Sequence, residues 1–225
     1  MSGMHTLATA FGFAGALLIV IMVVPQLRQV HSRSAQGVSV RTWWLQVVVC
    51  CTWAGYGWMI GSAPIIWGNA ITFVLVGLLV SELVRGRGAR VMLLAWAIPV
   101  VAAAAAVMVL PALAVGFLAV TASVLMGIPQ TVQSLRHSRD TTPSAVSRTT
   151  WSLFGVGVAC WLAYSILDRD VPAMVANVAA SAMAWTIVVA ETYRHRRSGR
   201  AGAAAAIDVP DGNLSRRAVG VAVGG

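Results

Sequence analysis

The chain has 225 residues, of which 58% are hydrophobic and only 10% are charged. A soluble domain carries about 25% charged residues, so this composition excludes a water-facing surface over most of the chain and predicts a membrane protein. All sixteen basic residues are arginine and the formal net charge is +9. These arginines separate apolar runs instead of forming one basic face, which argues against nucleic-acid binding.

The first half of the chain predicts three membrane helices. Residues 6–27 are uncharged, and the helix that they predict ends before Arg28. Because about 20 apolar residues span a bilayer, the uncharged run between Arg41 and Glu82 is long enough for two crossings. The sequence GSAP at residues 61–64 divides that run, since proline suits the first turn of a new helix.

The rest of the chain predicts four more helices. The uncharged run between Arg90 and Arg136 accommodates two, divided at residues 110–111, and residues 149–167 and 171–190 predict the sixth and seventh. Residues 198–225 are rich in glycine and alanine and predict a disordered tail. The sequence therefore predicts seven transmembrane helices.

The arginines indicate the orientation of these helices. With seven crossings, the arginines of the first, third and fifth connections and of the tail all lie on one side, and Arg169 alone lies on the other. Positive charge marks the cytoplasmic side of a membrane protein. We therefore predict a multi-pass cell-membrane protein with its N-terminus outside and its C-terminus in the cytoplasm. The N-terminus has no basic segment before its apolar stretch, so a cleaved signal peptide is not expected.

Residues of the first half recur in the second half in the same order. Pro25-Gln26 matches Pro129-Gln130, and a constant spacing of 108 residues then holds over a long distance. The pairs at this spacing are Ser39 with Ser147, Trp43 with Trp151, Trp53 with Trp161, Tyr56 with Tyr164, Pro64 with Pro172, and Asn69 with Asn177. Each copy is a three-helix unit.

A three-helix copy joined directly to the first copy would cross the membrane in the inverted orientation. Both copies nevertheless carry their arginines after their own first helix, on the same side of the membrane. The span at residues 91–110 has no partner in either copy and restores the parallel orientation. The predicted fold is an all-α integral membrane protein of three plus one plus three helices. Its predicted parts are a first repeat at 1–85, a linker helix at 86–110, a second repeat at 111–197 and the tail at 198–225.

These features resemble the PQ-loop superfamily, and most of all the SWEET (MtN3/saliva) sugar facilitators and their single-repeat bacterial relatives. The resemblance rests on the Pro-Gln pair at the end of each first helix, on the basic loops rich in serine, and on the two repeats around a linker. It implies passive uniport of mono- or disaccharides by alternating access. It also implies a hinge at each Pro-Gln pair, where proline removes a backbone hydrogen bond and bends the helix. The alternative for each pair is a helix that simply ends at its cytoplasmic boundary.

The paired tryptophans and asparagines predict the binding site. Trp53 and Asn69 lie at a similar depth on either side of the turn before Pro64, and Trp161 and Asn177 repeat this arrangement. Aromatic faces pack against the C–H faces of sugar rings, and an amide both donates to and accepts from hydroxyls. In SWEET-like proteins the matching residues line the sugar pocket. The alternatives are an interfacial aromatic belt for the tryptophans, to which we assign Trp44, and helix-to-helix hydrogen bonds for the asparagines.

Four further residues are predicted around this site. Val49 and Gly157 lie one helical turn before the two tryptophans and are predicted to set the size of the pocket. Tyr56 and Tyr164 lie almost one turn further out and are predicted to form part of an extracellular gate. The charged loop SILDRDVP and the uncharged loop MIGSAPII predict that this gate is asymmetric.

Two other functions compete with sugar transport. A proton-coupled amino-acid transporter of the PQ-loop superfamily would need an acidic or histidine residue inside the membrane. We instead expect Glu82 and Glu191 at cytoplasmic helix ends, and Asp168 and Asp170 in an outer loop. A receptor or scaffold would use the asparagines only as structural contacts.

The expected partners are a small sugar and the lipid bilayer, without nucleic acid. No nucleophile, phosphate-binding motif or metal-ligand spacing is apparent, so we expect neither an enzyme nor a metal or other cofactor. A double repeat encloses its own transport pathway, so a monomer is sufficient for transport. The sequence leaves open whether the protein also forms homo-oligomers.

Overall fold

A computed structural model describes residues 2–32, 40–84, 88–140, 146 and 148–207, and the side chains of 2, 24–41, 89 and 201–207 lie outside the described set. Seven α-helices make up the described part of the chain. They are α1 Ser2–Ser32, α2 Val40–Ile60, α3 Ala63–Leu83, α4 Ala89–Val109, α5 Ala112–Arg136, α6 Arg148–Asp168 and α7 Val171–Ile207. The seven-helix prediction is confirmed.

Six of these helices are long and apolar enough to cross a membrane: they contain the spans 3–23, 63–83, 90–109, 112–136, 148–168 and 171–200. The remaining helix, α2, is 21 residues long but carries four tryptophans, a tyrosine and Gln46. Their polar atoms lower the mean hydropathy of this helix. It packs against α3, α4 and α5, so the bundle shields much of its surface from lipid.

The two repeats have the same internal arrangement. In the first repeat α3 packs against both α1 and α2, and in the second repeat α7 packs against both α5 and α6. The repeats meet where α1 packs against α6 and α2 packs against α5. The middle of the protein is therefore lined by helices that come from both repeats.

The linker helix α4 is attached mainly to the first repeat. The indole Nε1 of Trp44 donates to the carbonyl of Ala95 at 3.2 Å, and Nε1 of Trp96 donates to Oγ of Ser81 at 3.0 Å. The Trp96 ring also fills the space where a side chain at Gly77 would lie. The polar edge of Trp44 thus binds the linker helix, and its assignment to an interfacial aromatic belt stays a prediction.

The turns between the second and third helices of the two repeats have the same geometry. Gly61 and Arg169 occupy equivalent positions with φ values of 71° and 58°, the left-handed conformation that often ends a helix. The next residue in each turn, Ser62 or Asp170, donates its amide to the preceding helix at 2.9 Å. Ser62 and Asp170 therefore cap α3 and α7 in the same way.

Two predicted helix ends differ from the structure. Helix α1 runs to Ser32 and α5 to Arg136, well beyond each Pro-Gln pair, so neither pair ends its helix. Helix α7 runs to Ile207, so residues 198–207 are helical and not disordered. The alanines in this segment have the highest helix propensity of any residue and extend the helix. Residues 208–225 lie outside the described part of the chain.

Candidate functional site

One buried cluster brings both tyrosines and both tryptophans together near the turns that contain Gly61 and Arg169. We call this end of the bundle the turn end and the opposite end the arginine end. The cluster contains Tyr56 and Tyr164, which are 4% and 2% exposed, and Trp53 and Trp161 pack against it. Each tryptophan meets its tyrosine edge to face, with ring centroids 5.7 and 5.5 Å apart.

Two glycines let these tyrosines approach the helices of the other repeat. A Cβ atom at Gly12 in α1 would lie 3.1 Å from the Tyr164 ring, and one at Gly116 in α5 would lie 2.9 Å from the Tyr56 ring. Our sequence reasoning missed this pair of glycines. A usable signal was present, because they have the spacing of 104 residues that also separates Pro25 from Pro129.

The tyrosine hydroxyls connect the two repeats at the turn end. Tyr56 donates to Oδ1 of Asp170 at 2.7 Å, and the hydroxyls of Tyr164 and Ser62 lie 2.6 Å apart. We call Tyr56, Asp170, Tyr164 and Ser62 the cross-repeat latch. Tyr164 also donates to Asp168 at 3.2 Å, so its single proton is used there and Ser62 is the donor to Tyr164.

The two halves of the latch differ in charge. Oδ1 of Asp170 also accepts the amide of Ala173 at 3.1 Å, and Oγ of Ser62 accepts that of Ile65 at 3.4 Å. The same cap position thus holds a carboxyl group in one repeat and a hydroxyl group in the other. The asymmetry expected from the two loops is a difference in chemistry and not in backbone geometry.

Asp170 is only 7% exposed, and its Oδ2 atom has no hydrogen-bond partner among the described residues. Burial raises the pKa of this carboxyl group, because the charged form loses hydration, and the neighbouring Asp168 adds to the effect. The hydrogen bonds from Ala173 and Tyr56 act in the opposite direction but are smaller causes. This carboxyl group therefore gives up its proton less readily than an exposed aspartate does.

The predicted asparagines occupy matching places in α3 and α7. Nδ2 of Asn69 donates to the carbonyl of Ile65 at 2.9 Å, and Nδ2 of Asn177 donates to that of Ala173 at 2.8 Å. Both side chains are half-buried. No described residue of another helix bonds either amide, and no described residue donates to either amide oxygen. This arrangement does not fit helix-to-helix hydrogen bonds and leaves the amide oxygens available to a ligand.

The predicted tryptophans are both half-buried, but their surroundings differ. Nε1 of Trp53 donates to Oγ of Ser123 in α5 at 3.0 Å. The Trp161 ring lies against Gly15 and Gly68. A Cβ atom at Gly15 would lie 2.7 Å from Cδ1 of Trp161, and one at Gly68 would lie 3.3 Å from its Cζ2 atom. Since Gly68 directly precedes Asn69, the asparagine of the first repeat lies next to the tryptophan of the second.

The structure places the two residues predicted to set pocket size in the packed interior. Val49 is 5% exposed, and Gly157 is buried where α6 crosses α1. A Cβ atom at Gly157 would lie 3.2 Å from Cβ of Leu18. This glycine allows the close approach of the two helices, and its effect on pocket size stays a prediction, as does that of Val49.

The two Pro-Gln pairs are described to different extents. The side chains of Pro25 and Gln26 lie outside the described set, although their backbone belongs to α1. Pro129 lies inside α5. Nε2 of Gln130 donates to Oγ of Ser134 at 3.3 Å.

Ser134 in turn connects the second pair to α7, because its Oγ donates to Oε1 of Glu191 at 2.8 Å. Glu191 is 2% exposed, and within the described part of the chain its Oε2 atom has no hydrogen-bond partner. We expected Glu191 at a cytoplasmic helix end. It instead lies within α7, which continues to Ile207 and so keeps the carboxyl group packed inside the bundle.

Fold and site together define a membrane protein of two parallel three-helix repeats, joined by a linker helix, with paired tryptophans and asparagines beside a cross-repeat latch. No family model matches the chain. The sugar transporter SemiSWEET of Bradyrhizobium diazoefficiens is 34% identical over 67 residues, which cover 29% of this chain and 78% of that protein. The chain belongs to the SWEET/SemiSWEET family.

A solved structure supports the fold over most of the chain. The 3.7 Å resolution structure of a eukaryotic SWEET transporter superposes with a TM-score of 0.73 at 14% sequence identity. The match covers 86% of this chain and 99% of that one, so the architecture of three plus one plus three helices is confirmed.

Proposed function

We propose that the protein is a sugar transporter that moves mono- or disaccharides across the membrane and performs no catalysis. The observation that carries the proposal is the pair of half-buried Asn–Trp sets, one in each repeat, whose amide oxygens accept no hydrogen bond from described residues. Sugar hydroxyls would donate to these oxygens, and sugar C–H faces would pack on Trp53 and Trp161. The family relationship supports the same substrate class.

Alternating access follows from the latch and the Pro-Gln pairs. When the latch is closed, its hydrogen bonds join the two repeats at the turn end and block the path from that side. Opening requires the repeats to separate there and to approach each other at the arginine end. Pro25-Gln26 and Pro129-Gln130 are the proposed hinges, because a proline within a continuous helix leaves a carbonyl without its amide partner. Tyr56 and Tyr164 then form the gate.

We further propose that the turn end faces outward. The described arginines of α4 to α7, except Arg169, lie towards the opposite end, as the positive-inside rule requires of a cytoplasmic face. An epitope tag before Met1 should react with an impermeant antibody on intact cells, whereas a tag after Gly225 should react only after permeabilisation. Equal reaction of both tags in intact cells would contradict seven crossings.

Uptake by the purified protein in sealed liposomes tests the function. We expect D-glucose or sucrose to equilibrate faster than in protein-free liposomes, without accumulation under an imposed proton or sodium gradient. The expected binding is weak, with a millimolar Kd and a free energy of about −4 kcal/mol. Failure to equilibrate any mono- or disaccharide would contradict the proposal.

One observation favours ion-coupled transport as a second candidate function. Glu191 is a buried acidic residue within a membrane helix, a position in which ionisable groups commonly serve transport. Its described hydrogen bond leads to Gln130 through Ser134, and not to the paired tryptophans and asparagines. Accumulation of sugar under a proton gradient, abolished in Glu191→Gln, would establish coupling and overturn the passive mechanism.

The latch should respond to pH through Asp170. The pKa of this carboxyl group is raised in the closed state, and in the open, hydrated state we expect the ordinary pKa of an exposed aspartate. The closed state therefore binds the proton more tightly, so closure gains stability as the pH falls through the raised pKa. The closed state has its full gain in stability once the pH is below the ordinary pKa of an aspartate.

Asp170→Asn should remove this pH dependence without breaking the latch, because the amide oxygen still accepts from Tyr56 and Ala173. The measurement is the distance between spin labels on Ala63 and Val171, at the starts of α3 and α7, over a pH series. Identical pH profiles for the wild-type protein and Asp170→Asn would exclude Asp170 as the responsible group.

A further inference from the structure

The two tryptophans of the site are held by different chemistry. Oγ of Ser123 accepts the indole proton of Trp53 at 3.0 Å and donates its own proton to the carbonyl of Ala119 at 2.8 Å. An indole can only donate, so the direction of the first bond is determined by chemistry. The helix-bonded hydroxyl of Ser123 thus presents a fixed acceptor to the Trp53 ring.

Trp161 has no acceptor at the equivalent position among the described residues. At the repeat spacing of 104 residues, Ser123 corresponds to Ile19, whose side chain cannot accept a hydrogen bond. Trp161 instead packs against Gly15 and Gly68. The twofold symmetry of the repeats is therefore broken at the site, with one ring held by a hydrogen bond and the other by packing against glycines.

We propose that Ser123 is a positioning residue that holds the Trp53 ring in the orientation needed to pack against the substrate. The inference rests on the proposed function, since it assigns Trp53 to the sugar site. An indole N–H without its partner would favour ring orientations in which it meets another acceptor or water, and the ring face would turn away from the sugar. The loss of one such hydrogen bond corresponds to about two- to tenfold weaker binding.

The test uses the full chain in lipid nanodiscs, labelled with 15N at its tryptophans. Loss of one indole resonance in Trp53→Phe identifies the Trp53 signal. In Ser123→Ala this signal should shift and exchange its proton with deuterium several-fold faster, and Ser123→Thr, which keeps the hydroxyl, should restore it. Affinity for D-glucose and sucrose should fall two- to tenfold in Ser123→Ala and recover in Ser123→Thr.

Thr121→Ala is the matched control. Thr121 is an exposed residue of the same helix that makes the same kind of backbone bond, from Oγ1 to the carbonyl of Phe117 at 2.8 Å. Both the Trp53 signal and sugar affinity should stay unchanged in this variant. A shifted Trp53 signal with unchanged affinity in Ser123→Ala would overturn the inference alone, as would an unshifted signal. If the wild-type protein binds neither sugar, the proposed function fails for these substrates, and the inference fails with it.

Discussion

Replacing Tyr56 with phenylalanine is expected to shift the equilibrium at the turn end toward the open state by about 10- to 150-fold when Asp170 is ionised. The substitution removes the 2.7 Å hydrogen bond to Asp170 but keeps the ring that packs near Gly116 and Trp53. A hydrogen bond to a charged group contributes about 1.5–3 kcal/mol, which corresponds to this range of equilibrium constants. When Asp170 is protonated the bond is a neutral one that contributes about 0.5–1.5 kcal/mol, and the expected shift falls to about two- to tenfold.

Distances between spin labels on Ala63 and Val171 report this equilibrium, after Cys50, Cys51 and Cys160 have been replaced by alanine. The long-distance population should grow in Tyr56→Phe and the short-distance population should shrink. The same substitution at Tyr193, which is 51% exposed and far along α7, should leave both populations unchanged. An unaltered distribution in Tyr56→Phe would show that the latch does not control closure.

Tyr164→Phe provides an internal comparison for the other half of the latch. Its closest partner, Ser62, is a neutral hydroxyl, and a hydrogen bond of that kind contributes about 0.5–1.5 kcal/mol. The expected shift is therefore smaller than in Tyr56→Phe, and the 3.2 Å bond to Asp168 does not add to it, because Tyr164 and Asp168 belong to the same helix, α6. The difference between the two variants measures the chemical asymmetry of the latch.

Simultaneous replacement of Asn69 and Asn177 with alanine is expected to weaken sugar binding by about 5- to 150-fold. Each amide should contribute about 0.5–1.5 kcal/mol to binding, and contributions from two sites that share no partner add approximately. Each Nδ2 atom is bonded within its own helix, so alanine breaks no described contact between helices. The single variants should each lose about two- to tenfold.

Binding of D-glucose or sucrose to purified variants measures this effect, and thermal unfolding verifies that the variants are folded. Trp67→Ala is the control on α3, because Trp67 lies two residues before Asn69 but is 59% exposed. It should bind sugar like the wild-type protein. Folded double variants with wild-type affinity would remove the asparagines from the site.

Much of the fold follows from local properties of the sequence. A membrane helix needs only a sufficient length of apolar residues, and arginines accumulate on one side, so the number of crossings can be read from the chain. The matched positions of the two halves then require the linker helix, because three crossings per copy would otherwise invert the second copy. These arguments need no knowledge of which helices are neighbours.

The helix ends were less predictable. The length of an uncharged run predicts the length of the segment in lipid but not the residue at which the helix ends. A helix continues beyond the apolar segment where the following residues have a high helix propensity. Helix α7 shows this, because it passes Glu191 and the arginines beyond it before ending at Ile207. Glu191, which we expected at a cytoplasmic helix end, instead lies inside the bundle, where Ser134 of α5 donates to it.

The candidate site shows the limit of the sequence more clearly. Its paired tryptophans, asparagines and tyrosines were identified from their spacing alone, but their partners were not. Tyr56 meets Asp170, and Trp53 meets Ser123, only because α2 of the first repeat packs against the second repeat. Spacing along one chain determines which residues share a helix face, whereas the hydrogen bonds between repeats depend on which helices lie side by side. The tertiary structure alone decided that arrangement, and with it the hydrogen bonds between the repeats at the turn end.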